Sequence, residues 1–117
     1  MIPVKKEAIS KELIAPYFER WERLSDQIFH AHDVRNGEVK SLMEEGIALF
    51  EELVLNTSLV EQTSMIQTNE EYEVFPINGM ERFLFIKARP AQYACFRQLD
   101  ELFKEIKKRY ARLRIKA

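Results

Sequence analysis

Apolar residues recur at intervals of three or four positions in three parts of the chain, the spacing that aligns them on one face of an α-helix. The most regular stripe, with intervals of 3, 4, 3, 4 and 3, consists of Phe96, Leu99, Phe103, Ile106, Tyr110 and Leu113. An earlier stripe consists of Tyr17, Phe18, Trp21, Leu24, Ile28, Phe29 and His32. We predict helices over residues 16–32, 38–55 and 90–113, and we expect these three to form the main layer of the fold.

Prolines and glycines indicate where these helices begin and end. Pro16 lacks a backbone donor and disfavours helical geometry in the residue before it, so the first helix is predicted to begin at Pro16. Ser10 is suited to cap only a short turn before that point. Pro90 is expected to end a short helix near residues 88–89 and to begin the last one. Gly46 interrupts the second stripe, which favours a close helix crossing there.

The sequence Asn-Gly-Met-Glu-Arg at residues 78–82 predicts the start of a short helix. Asn78 and Glu81 have the spacing of a capping box, in which both side chains satisfy free backbone donors of the first turn. Gly79 follows the cap. Arg82 is expected to reach the acidic middle of the chain or a backbone carbonyl, although a guanidinium beside a carboxylate is also a common active-site arrangement. A structural role for this motif is the favoured interpretation.

Residues 56–75 show no sustained periodicity, and we predict that they form a long connection with at most a single helical turn near Leu59. The short helix that follows is expected to bury Phe83, Leu84 and Ile86. A connection of this length in a compact domain is usually functional or mobile.

The chain has 117 residues, of which 46% are hydrophobic, and this content suits one modest core. We predict a single all-α domain over residues 1–117, a bundle of four or five helices with a long C-terminal helix. The one cysteine cannot form an internal disulfide, and no run approaches the roughly 20 apolar residues of a membrane span. These features predict a soluble cytoplasmic protein without a membrane contact or a cofactor.

The net charge of −1 hides a division of charge along the chain. Residues 1–37 carry six basic and six acidic side chains, and residues 38–81 carry Lys40 against ten glutamates. Residues 82–117 carry eleven basic side chains against three acidic ones. Such a division indicates an anionic partner for the basic part, or attraction between the two parts within one chain or between two chains.

The basic end of the chain gives the strongest functional signal. The candidate contacts for an anion or a nucleic acid are Lys104, Lys107, Lys108, Arg109, Arg112 and Arg114. These side chains can neutralise phosphates, and Tyr110 can stack on an exposed base. Such binding requires the basic end to project away from the acidic middle of the chain, which the helix achieves if its last two turns extend beyond the bundle. The other interpretation is a solvated helix end that complements its own dipole and the acidic segment. The isoelectric point near 6.2 favours this second interpretation.

Other reactive side chains give weaker signals. His30 and Asp33 have the spacing of two metal ligands on a helix, but His32 points away from them and the chain has no third histidine. Cys95 adjoins the apolar seam, which suits a buried small residue better than a nucleophile. We therefore predict no metal site, no catalytic residue and no enzyme.

Part of the sequence resembles the YpoC-like family of small bacterial proteins. The resemblance lies within residues 75–105 and consists of Asn78, Gly79, Glu81, Arg82, Phe85, Ile86, Pro90, Tyr93, Gln98, Leu99, Glu101, Leu102 and Phe103. The N-terminal two thirds match only in general helical character. The resemblance implies a family of unknown function and no catalytic residues.

The division of charge and the lack of catalytic patterns favour a non-enzymatic interaction module. Such a helical adaptor would present its acidic middle and its basic end to a protein partner or to its own copy. The alternative is a nucleic-acid-binding accessory protein that uses the basic C-terminal helix.

Overall fold

Four α-helices account for most of the computed structural model, which describes residues 1–61 and 65–115. They are α1 (Lys11–Asp33), α2 (Val39–Asn56), α3 (Gly79–Ala88) and α4 (Tyr93–Ile115), preceded by a 3₁₀ turn at Lys6–Ala8. Within the described ranges there is no strand, only two isolated β-bridges. The predicted all-α class with a long C-terminal helix is confirmed.

Helix α1 begins five residues before the predicted start at Pro16, so that prediction was wrong. The Ser10 hydroxyl accepts a hydrogen bond from the backbone N–H three residues later. Ile9 and Ile14, at the two positions of a hydrophobic staple, are both buried. The cap and this burial outweigh the one helical hydrogen bond that Pro16 cannot make in the second turn.

The start of α4 was also misplaced, because Pro90 lies in a turn and the helix begins at Tyr93. The N–H of Gln92 bonds to the carbonyl of Arg89, and the N–H of Cys95 then bonds to the carbonyl of Gln92. Both ends of α2 and the C-terminal end of α3 were predicted within a residue, since α2 covers Val39–Asn56 and α3 ends at Ala88, whereas α4 ends at Ile115, two residues after its predicted end.

The six seam residues of α4, from Phe96 to Leu113, are all buried, as predicted. Phe103 lies at the centre of the aromatic core. Its ring stacks on Trp21 of α1 at 4.5 Å between centroids and meets Phe50 of α2 edge to face at 5.1 Å. One continuous cluster of buried side chains therefore joins α1, α2 and α4.

Gly46 lies where α2 packs against Trp21 of α1 and Leu99 of α4. A Cβ atom at this position would be 2.7 Å from the Trp21 ring and 3.2 Å from Leu99. The predicted close crossing at Gly46 is confirmed, and the glycine is there because a larger residue does not fit.

Two residues of the predicted apolar faces point outward. Phe29 of α1 is 55% exposed and Leu84 of α3 is 40% exposed. Ala31 is buried near the end of α1. The apolar faces of α1 and α3 are therefore narrower than the sequence pattern indicated.

The connection between α2 and α3 contains no helical turn at Leu59. It instead runs beside the first residues of the chain, where the N–H of Ile2 bonds to the carbonyl of Glu71 at 2.7 Å and the N–H of Glu73 bonds to the carbonyl of Ile2 at 2.9 Å. Ile66, Tyr72 and Val74 lie in the core. Residues 62–64, part of this predicted connection, lie outside the described residues.

Candidate functional site

Asn78 occupies the N-cap of α3, but the predicted capping box does not form. Its backbone is left-handed, with φ 56° and ψ 24°, and its side chain makes no capping hydrogen bond. An N-cap side chain reaches the first turn from an extended backbone, so this conformation removes the interaction. Glu81 is exposed. A Cβ on Gly79 would lie 2.6 Å from the Phe75 ring, so this glycine allows the chain before α3 to pack closely.

Arg82 forms hydrogen bonds with α4 and with a backbone carbonyl. Of its two predicted partners, the backbone carbonyl is correct and the acidic middle of the chain is wrong. Its Nη1 and Nη2 donate to the two carboxylate oxygens of Glu105 at 3.0 and 2.7 Å. Nη1 also donates to the backbone carbonyl of Ile77 at 3.2 Å. The hydrogen bonds from Arg82 lower the pKa of Glu105. The guanidinium and this carboxylate are therefore joined in a structural pair.

Replacing Glu105 by Gln is expected to lower the free energy of unfolding by about 0.5–1 kcal/mol at about pH 7, because the pair is bidentate but partly exposed. A depressed pKa stabilises the fold above the unfolded value, about 4.3, and this contribution disappears as pH falls through the folded pKa. Urea titrations should therefore show that the free energies of unfolding of the wild type and of Glu105→Gln differ at about pH 7 and become equal at about pH 3.

The matched control is Glu44→Gln, which changes an exposed carboxylate on α2. It should leave stability unchanged at either pH. A Glu105→Gln deficit that persisted undiminished in acid would contradict the ionic character of the pair.

Two of the predicted anion contacts are engaged on the side of α4 that faces α1. The Lys104 ammonium lies 2.9 Å from the Asp100 carboxylate, one helical turn earlier. The Lys107 ammonium lies over the ring of Phe18, 5.5 Å from its centroid. Either ammonium group would have to break its contact, with Asp100 or with Phe18, in order to bind an anion.

Two further candidates bond to backbone carbonyls of distant segments. Arg109 Nε donates to the carbonyl of Glu73 at 2.9 Å, and Arg114 Nη1 donates to the carbonyl of Ile9 at 2.8 Å. These bonds hold the long connection and the N-terminal segment against α4. The bond from Arg109 reaches the acidic segment, as the second interpretation of the basic cluster expects, whereas the bond from Arg114 reaches the N-terminal segment.

Lys108 and Arg112 are different, because their side chains make no hydrogen bond or salt bridge with the described residues. Both are exposed. They lie four residues apart on α4 and so point to the same side of the helix. These two side chains are the part of the basic cluster that remains available to another molecule.

The described part of α4 does not project from the bundle, and Tyr110 cannot stack on a base. Its side chain is 0% exposed, and its hydroxyl lies 2.8 Å from Thr57 Oγ1. Burial raises the pKa of Tyr110. Ile106 and Leu113, one turn to either side, are also buried. Tyr110 is therefore not available for base stacking, and the last described turns of α4 do not project beyond the bundle as nucleic-acid binding was predicted to require.

A groove of about 290 Å³ lies between α4 and the end of the long connection. Its lining residues are Phe75, Pro76, Ile77, Glu105, Lys108, Arg109 and Arg112. Arg82 neutralises the only carboxylate in this lining. We call this site the basic groove, since three cationic side chains with no free counter-charge line it.

A second depression of about 290 Å³ shares Phe75, Pro76 and Arg109 with the basic groove. Its carboxylates come from Glu70, Glu71, Glu73 and Glu81. The Glu73 carboxylate accepts a hydrogen bond from the N–H of Val4 at 2.9 Å, while Glu71 and Glu81 are exposed. We call this depression the acidic hollow, and the two together the bipolar surface.

The sequence did not point to the residues between the two depressions. Phe75, Pro76 and Ile77 occur in the long connection, and no pattern along the chain places them beside Lys108. The signal that was available is the three glutamates within residues 70–73, just before an apolar segment. These glutamates indicate an acidic surface, but they do not indicate that a basic groove lies beside it.

The remaining candidate residues are poorly placed for chemistry. His32 meets Tyr93 edge to face at 5.1 Å, and burial lowers the pKa of His32. Cys95 is buried, and burial raises the pKa of its thiol. Across residues 1–61 and 65–115, no group of three or more His, Cys, Asp or Glu side chains could hold a metal ion.

The helices and the bipolar surface define an all-α protein whose charged residues from distant segments meet at one place. The family model described as YpoC-like protein matches residues 11–117, so the chain belongs to the YpoC-like family. The match also covers most of the N-terminal two thirds, where the sequence resemblance was only general.

Among curated proteins, the chain is similar to the uncharacterized protein YpoC of Bacillus subtilis (strain 168). The two are 51% identical over 41 residues, which is 35% of this chain and 25% of the relative. The chain thus matches about a quarter of the length of that protein. No solved structure matches. None of the helices in the described ranges is long and apolar enough to cross a membrane.

Proposed function

We propose that this protein is a non-enzymatic interaction module of the cytoplasm, a single helical domain that docks a protein partner on the bipolar surface. One observation carries the proposal: a basic groove and an acidic hollow lie side by side and share Phe75, Pro76 and Arg109. Adjacent depressions of opposite charge favour a partner with the reverse arrangement and disfavour a partner of one charge.

An exposed apolar residue at the same place supports protein docking. Ile77 is 83% exposed and lines the basic groove. Interfaces between proteins combine an apolar centre with a charged rim. Phosphate binding is mainly electrostatic, so an exposed isoleucine contributes nothing to it. The burial of Cys95 and the structural pairing of Arg82 with Glu105 support a role other than catalysis.

Capture of partners from a native extract with matched baits tests the proposal. The wild-type chain should retain a small set of proteins that Lys108→Glu with Arg112→Glu fails to retain. The control is Lys40→Glu with Arg97→Glu, which makes the same charge change at exposed positions outside both depressions. We expect at least a tenfold difference between the two baits, because reversing charges at a contact replaces attraction by repulsion.

Circular dichroism melts must show that each bait is folded, and the neutral pair Lys108→Gln with Arg112→Gln serves if charge reversal disturbs α4. Equal retention by the groove variant and the control would overturn the proposal. So would salt-sensitive binding of a labelled DNA duplex that the groove variant abolishes, because that result assigns the basic groove to nucleic acid.

A further inference from the structure

We infer that the partner docked on the bipolar surface is a second copy of this chain, with the basic groove of each copy against the acidic hollow of the other. The inference rests on the proposed function and names its partner. It starts from four charged side chains that make no hydrogen bond or salt bridge with the described residues: Lys108 and Arg112 on one side, Glu71 and Glu81 on the other.

The positions of these charges are self-complementary. In a two-fold dimer each surface patch meets the patch related to it by the axis. A two-fold axis that lies in the contact plane along Phe75 and Pro76, the residues shared by both depressions, exchanges the groove with the hollow. Each copy then supplies Lys108 and Arg112 to the hollow of the other, while Arg109, which lines both depressions and bonds to the carbonyl of Glu73, lies near the axis.

The exposed apolar side chains follow the same symmetry. Ile77, which lines the groove, is 83% exposed, and Met1, which lines the hollow, is 75% exposed. The two-fold axis that pairs groove with hollow also brings Ile77 of one copy toward Met1 of the second copy. Apolar contact would then accompany charge pairing, as in the centre and rim of known interfaces.

Sedimentation velocity with two charge-reversed variants tests this arrangement. Variant one is Lys108→Glu with Arg112→Glu, and variant two is Glu71→Arg with Glu81→Arg. We expect the wild type to dimerise with a dissociation constant on the order of 10–100 µM, as small transient interfaces do, and each variant alone to self-associate at least tenfold more weakly. An equimolar mixture of the two should form a heterodimer within about threefold of the wild-type affinity, because both contacts are then again between opposite charges.

Two conditions complete the design. Raising the salt from about 50 mM to about 500 mM should weaken the wild-type dimer at least tenfold, because exposed charges are screened. The Lys40→Glu with Arg97→Glu control should dimerise as the wild type does. A wild type that stays monomeric at low salt, or variants that do not restore each other on mixing, would overturn the inference.

The two proposals fail in different ways. If bait capture depends on the groove but the chain is monomeric at every salt concentration, the second-copy inference is wrong and the proposed function stands. If capture is insensitive to the groove while sedimentation shows the complementing heterodimer, the bipolar surface binds only a second copy, and docking of a different protein there is excluded.

Discussion

Replacing Phe103 by Ala should lower the free energy of unfolding by about 3–5 kcal/mol, the range observed when a buried aromatic side chain is truncated. Phe103 is 1% exposed. Its ring stacks on Trp21 and meets Phe50 and Phe18 edge to face. The truncation removes these contacts and leaves a cavity between α1, α2 and α4, because the surrounding helices can relax only partly.

Urea denaturation followed by circular dichroism measures the loss. Phe29→Ala is the matched control, since Phe29 is 55% exposed and its removal should change stability by less than about 0.5 kcal/mol. A domain of this size has only about 5–15 kcal/mol of stability, so Phe103→Leu, with an expected loss of about 1 kcal/mol, provides a variant that stays folded. Equal losses for Phe103→Ala and Phe29→Ala would show that Phe103 is not at the centre of the core.

Replacing Gly46 by Ala should destabilise the protein by about 1–3 kcal/mol, although alanine favours a helix by about 1 kcal/mol. The added Cβ would lie 2.7 Å from the Trp21 ring. Trp21 cannot easily move away, since its ring stacks on Phe103 and its Nε1 donates to the Asp100 carboxylate at 3.0 Å. Steric overlap therefore outweighs the gain in helix propensity.

A double-mutant cycle tests this explanation. Trp21→Phe removes the part of the indole that the new Cβ would meet, so Gly46→Ala should cost at least about 1 kcal/mol less in that background. Gly37→Ala is the control, because nothing lies within 4 Å of a Cβ at that glycine. Additive losses in the cycle would mean that the crossing of α1 and α2 is looser than the structure indicates.

The fold was largely predictable because its main signals are local. The seam from Phe96 to Leu113 depends only on helical periodicity, and every member is buried. Gly46 likewise indicated a helix crossing. The start of α1 was predicted wrongly because the unfavourable effect of Pro16 on a helix is visible in the sequence. The compensating burial of Ile9 and Ile14 is a tertiary effect that the sequence does not show.

For the candidate site, the sequence predicted only that the chain has one acidic and one basic segment. Sequence counts gave an acidic middle and a basic end, but not which side chains remain available. Arg109 and Arg114 are bound to carbonyls 36 and 105 residues away, and such long-range contacts leave no periodic signal. The left-handed conformation of Asn78 was missed because Asn and Glu at capping-box spacing favour an extended N-cap backbone, and no residue pattern indicated the alternative.

Zero-length carbodiimide coupling of a mixture of ¹⁴N and ¹⁵N chains would test most directly whether the bipolar surface docks on a second copy. The reagent joins an amine to a carboxylate only where the two touch, and the isotopes distinguish links between chains from links within one. We expect mixed-isotope peptides that join Lys108 to Glu71 or Glu81, and we expect them to disappear at about 500 mM salt, where exposed charges are screened. Links from Lys108 found only within single chains, or interchain links that avoid both depressions, would contradict this docking.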